Sequence, residues 1–156
     1  MDSENIKVVK VRLNVSGLRL IGYVPLPPGE FSRFSDVLNG SEPYILIRDE
    51  EVPPETGKGP SRVILKDSIS YVEALAEPGF QRLTPQGEFH AITLRLKEPA
   101  VTLEGELFVP QPGTVMDVFN DARRFINLRN VDFRDSVEAY DFLVVGKVHA
   151  QFIELS

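Results

Sequence analysis

Val9, Val11 and Leu13 alternate with Lys10, Arg12 and Asn14, the period-two pattern of a strand with one wet face. The alternation resumes at Leu18, Leu20 and Val24 after Val15-Ser16-Gly17, so the two runs predict a β-hairpin. Pro25, Pro27 and Pro28 predict the end of regular pairing, since proline has no N–H for a ladder. Phe34, Val37 and Leu38 then show the i, i+3, i+4 spacing of a short helix face. Tyr44 to Asp49 and Arg62 to Lys66 read as strands, and Ile69 to Val72 follows a turn at Asp67-Ser68.

This pattern recurs. A shift of 83 residues lays Ile92, Leu94 and Leu96 on Val9, Val11 and Leu13, and carries Gly105 onto Gly22 and Pro110 onto Pro27. A glycine shared inside a strand pattern predicts a bend or bulge where a side chain would strike a neighbouring strand. Beyond the prolines the offset is 81: Val115, Val118 and Phe119 match the first helix face, and Asp36 to Asn39 returns as Asp117 to Asn120. Thr114 is expected to cap the second helix with Asp117 three residues on, and Ser32 or Arg33 to begin the first. Asn39 and Asn120 are expected to close the helices in the left-handed conformation that asparagine tolerates. Asp-x-x-Asn can also hold a ligand or orient a water, but an Asp at a helix start and an Asn at its exit are what short helices need. Phe125 to Asn130 repeats the strand at Tyr44, Phe142 to Val145 the next one, and Val148 to Leu155 follows the turn at Gly146-Lys147.

The expected fold is therefore mainly β with short helices, a tandem pseudo-twofold repeat of a small SH3/Sm-like β-barrel. Each repeat reads strand, strand, short helix, strand, strand. Residues 1–76 form the first repeat, 77–88 the linker with Pro78-Gly79 and Pro85-Gln86-Gly87, and 89–156 the second repeat. Units this small gain most by packing on each other as one compact body.

The order of these signals is similar to that of Sm-like small barrels, with a glycine-bent strand, an Asp and an Asn before the next strand, and a late apolar strand and turn. Gly22, Asp36, Asn39 and Val63 to Val72 carry it, with Gly105, Asp117, Asn120 and Phe142 to Phe152 in the second copy. The resemblance implies barrel topology and, in that family, RNA binding. Lys66-Asp67-Ser68 and Gly146-Lys147 stand where the family has an Arg-Gly-like turn. Ser35 to Asn39 also resembles the Ser-Asp-x-Leu-Asn segments of certain bacterial tandem-repeat proteins.

Composition narrows the function. The 156 residues are 42% apolar, enough for a core, and contain no cysteine, so neither disulfides nor thiolates contribute. No apolar run reaches the roughly 18 residues of a membrane span, and the acidic start Met1-Asp2-Ser3-Glu4-Asn5 is unlike a signal peptide, so a cytoplasmic location is expected. A net charge of -6 disfavours duplex DNA.

Candidate chemistry is sparse. His90 and His149 are not equivalent in the repeat and have no carboxylate or second His at i+4, which predicts surface or strand-edge histidines and no metal. Gly57-Lys58-Gly59 lacks the spacing of a phosphate loop and reads as a hairpin loop. With no catalytic motif, the expected protein is a non-enzymatic interaction or scaffold module without cofactors, taking a protein partner or a second copy. The apolar runs Tyr44 to Ile47 and Phe142 to Val145 are the candidate edges. The alternative is a small anionic ligand or short RNA at Arg123, Arg124, Arg129 and Arg134, the densest positive cluster. Arg12 with Arg95 and Arg48 with Arg129 are expected near a pseudo-axis, ion-pairing between repeats.

Overall fold

The computed structural model describes residues 7–26, 34–49, 60–75 and 86–155. The loop Gly57-Lys58-Gly59, the first helix start at Ser32 or Arg33 and most of the expected linker lie outside them.

The chain opens with the expected hairpin, β1 (Lys7–Val15) and β2 (Leu18–Leu26). Ser16 and Gly17 both have positive φ, 50° and 100°, the two-residue turn whose twist matches that of its strands. Pro25 does not end β2 but pairs opposite Val8. Counting the alternation from the turn, that is a non-hydrogen-bonded pair, so the missing N–H faces away from β1. Helix α1 (Phe34–Leu38) and β3 (Tyr44–Asp49) follow, then β4 (Ser61–Leu65), a single 3-10 turn at Lys66–Ser68, and β5 (Ile69–Ala74).

The later residues form β6 (Gly87–Leu96), β7 (Thr102–Pro110), α2 (Val115–Asn120), β8 (Phe125–Phe133) and β9 (Ala139–Gly146). A 3-10 turn at Lys147–His149 leads into β10 (Ala150–Leu155). Strand β6 thus begins inside the expected linker, because Gly87 already pairs with Pro110.

All the strands join one antiparallel sheet in the order β10-β6-β7-β8-β9-β5-β1-β2-β3-β4. The expectation of closed barrels is corrected here. Rather than turning back to β4, β5 gives its second edge to β9, pairing Tyr71 with Val145 and Val72 with Val144, so the sheet continues instead of closing. A twofold pairing would join like to like. The observed joint sets the last strand of one half against the next-to-last of the other.

Two buried clusters lie along this sheet. Residues from Val9 to Val72 form one together with Phe125. Residues from Ile92 to Val145 form the other together with Tyr71. Each half therefore places one aromatic ring in the other's core. Gly22 meets its expectation: a Cβ there would stand 2.3 Å from the Arg48 carbonyl oxygen. At Gly105 the register of β7 on β8 shifts, the expected bulge.

Candidate interaction site

The four arginines of the candidate cluster do not converge. They run from before β8 to the turn after it, and a strand advances roughly 3.3 Å per residue. Each also faces a carboxylate. Arg123 pairs with Asp121 at 2.8 Å, Arg129 with Glu106 at 2.7 Å and Arg134 with Glu104 at 2.8 Å, while Arg124 stands 3.9 Å from Asp67. Arg129 also lies over the Phe89 ring, 3.2 Å from its centre. Its guanidinium and the Asn130 amide bond Glu106 and lower that carboxyl's pKa. Among the described residues, Arg124 keeps a buried donor, Nη1, without a partner.

The expected ion pairs between repeats are absent among the described residues. Arg12 bonds Glu73 on the adjacent β5, and Arg95 donates to Thr102. Arg12 and Arg95 thus each find a partner within their own half.

The Asp/Asn motifs divide into two roles. Asp117 forms the expected capping box: Thr114 Oγ1 accepts from its N–H at 3.3 Å and its carboxylate accepts from Thr114 N–H at 2.7 Å. Asp36 lies in the first turn of α1. Neither asparagine adopts positive φ, correcting the expected left-handed exit. Asn39 instead turns its side-chain oxygen to Phe125 N–H, 2.9 Å away on β8. Asn120 is the exposed last residue of α2.

Two lysines take over the helix exits. Lys66 Nζ donates to Val37 O at 2.7 Å and Gly40 O at 3.4 Å, and is almost wholly buried. Burial pushes its pKa down, with Arg124 adding to the shift and Glu42 opposing it. Lys147 Nζ donates to Val118 O at 2.9 Å, Phe119 O at 3.4 Å and Asp121 O at 3.2 Å, and meets Asp121 Oδ1 at 2.6 Å. A cation at a helix C-terminus satisfies carbonyls that the helix leaves unpaired. The 81-residue offset places Lys147 on Lys66, a match that reading these residues as plain turns overlooked.

No family model matches the chain, and neither does any curated protein or solved structure. What distinguishes the molecule is its joint and its two outer strands. Across the joint, Arg19 pairs with Glu138 at 2.6 Å, His149 Nε2 lies 2.8 Å from Asp67 O, and Ser70 Oγ bonds Glu98 O. His149 is thus buried rather than at the surface, and no cluster of metal-ligating side chains occurs among the described residues. The expected edges also move. Strand β3 pairs with β4 along Tyr44 to Arg48, and β9 lies between β8 and β5, so neither bounds the sheet. Among the described residues the bounding strands are β4 and β10. Val63 (68% exposed) and Leu65 lie on the first, Phe152 and Leu155 (61%) on the second, all apolar and exposed.

Proposed function

We propose that this chain is a non-enzymatic interaction module, built as a tandem repeat of a five-stranded unit, that takes partner strands on β4 and β10. The observation that carries it is the continuous sheet bounded by two strands whose side chains Val63, Leu65, Phe152 and Leu155 remain exposed. An open strand edge presents unpaired N–H and C=O groups, and apolar side chains beside it give an incoming strand something to bury. The repeat reading is supported by parallel strand orders, β5-β1-β2-β3-β4 and β10-β6-β7-β8-β9, and by Lys66 and Lys147 at equivalent helix exits. Similarity to Sm-like proteins is carried over for topology alone: no RNA-binding role is taken from it, since Lys66 and Lys147 are committed to helix carbonyls. A cytoplasmic setting belongs to the same proposal; no helix among the described residues is long and apolar enough to cross a membrane.

Affinity capture tests it. Protein retained by the wild-type chain should be lost with Val63→Lys or Phe152→Lys and kept with Met116→Lys, an exposed position on α2. Retention indifferent to the edge variants would overturn the reading.

A second reading, an anion site, rests on Arg124 Nη1 alone. Phosphate, nucleotides or short RNA should then raise the melting temperature of the wild type and not of Arg124→Gln.

A further inference from the structure

We propose that β4 of one chain pairs with β10 of a second copy, head to tail, through the contacts that join β9 to β5 within each chain. This rests on the reading of the sheet edges as interaction sites and names their occupant.

The 81-residue offset relates the strands of the internal joint to the outer ones. Tyr71 and Val72 correspond to Phe152 and Ile153, and Val145 and Val144 to Ile64 and Val63. Tyr71 is 7% exposed in the joint and its counterpart Phe152 47% exposed outside it; Val144 is half-buried in the joint and its counterpart Val63 68% exposed, whereas Ile64, like Val145, is already buried. The second ring that crosses the joint behaves alike. Phe125 is buried in the other half's core, while its counterpart Tyr44 is 52% exposed. Asn39 accepts Phe125 N–H across the joint, and Asn120 is the residue that would meet Tyr44 of the next copy. The outer strands thus carry both halves of a surface that the chain already joins once.

Charge fits the same register. Continuing the joint's antiparallel pairing sets Ile153 opposite Val63 and Glu154 opposite Arg62, an acid facing a base on two exposed positions. Opposite charges at paired positions favour that register. One position limits the fit. A Cβ on Gly146 would lie 2.4 Å from Ile69 O, and Leu65 is its counterpart, so the outer ladder centres on Val63 and Ile64 and is weaker than the inner one. Because the two surfaces differ, the contact is heterologous and yields rings if it closes or filaments if it does not.

Native mass spectrometry and sedimentation over roughly 1–100 μM read the outcome directly. Whole-number multiples of the chain are expected, growing with concentration. Arg62→Glu and Glu154→Arg should each weaken assembly about tenfold or more, the doubly swapped chain should recover it, and Leu65→Gly should tighten it. Circular dichroism of every variant should match the wild type. A monomer at all concentrations, or assembly unaffected by Arg62→Glu and not restored by the swap, would overturn the proposal. A monomer that still loses a captured partner with Val63→Lys would do so while leaving the interaction-module reading intact.

Discussion

The side-chain oxygen of Asn39 accepts the backbone N–H of Phe125 at 2.9 Å, tying the exit of α1 to the start of β8 across 86 positions of chain. Phe125 is 1% exposed and packs with the core of the first half. The bond therefore satisfies a donor at the point where the second half enters the first.

Replacing Asn39 with Ala should cost about 1–3 kcal/mol, the range for a buried donor left without an acceptor. Asn39→Asp, which keeps an acceptor oxygen, should cost less, and Asn120→Ala should leave the stability of the single chain nearly unchanged. Urea denaturation measures all three. Equal midpoints for wild type and Asn39→Ala would show that the bond contributes nothing.

Lys66→Met keeps most of the buried stem but removes the donor from Val37 O and Gly40 O. A loss of roughly 1–3 kcal/mol is expected. Lys147→Met should cost less, since the acceptors there include the exposed residue Asp121, which water can reach. Denaturation of the two variants side by side gives the order.

Gly22→Ala should be the most damaging glycine substitution in β2 and β7. Its Cβ would meet the Arg48 carbonyl at 2.3 Å, and backbone on a paired strand cannot retreat, whereas at Gly105 the nearest atom is a Val131 methyl at 3.2 Å. Overpacking costs about 1–3 kcal/mol, and Gly22→Ala should lie at the upper end and Gly105→Ala at the lower. Thermal melts of both variants check the ranking.

Asp121 links stability to acid pH. Burial pushes its pKa up, but hydrogen bonds from Arg123 and Lys147 outweigh that and hold it at about 2, below its ordinary 3.8. Since the folded value is the lower one, the carboxylate's contribution is complete above the ordinary value and is lost as pH falls toward 2. Solvent screening limits the contribution to roughly 1–2 kcal/mol. The stability gap between wild type and Asp121→Asn should shrink between about pH 4 and pH 2, as followed by urea titrations at each pH.

Much of the secondary structure was legible because period-two alternation and the i, i+3, i+4 face are local signals. The first hairpin, both helix faces and the Thr114–Asp117 box appear where the pattern predicts. The candidate interaction site was less legible. Tyr44 to Ile47 and Phe142 to Val145 are more continuously apolar than β4 or β10, but apolarity reports burial against either face or neighbour. Which strand ends a sheet depends on pairing with distant residues. The arginines misled for the same reason: closeness in sequence along an extended strand is separation in space.

Alternation, the shared glycines, the repeated helix face and the 81-residue match of Lys66 with Lys147 are properties of the sequence, and they determine a mainly β chain with two short helices. Whether its sheet closes or continues was decided only in three dimensions. Burying Tyr71 and Phe125 in each other's halves and pairing β5 with β9 compete with closure for the same strand edge. A residue's period says which face it turns to the core; it carries no information about which of several compatible edges will meet it.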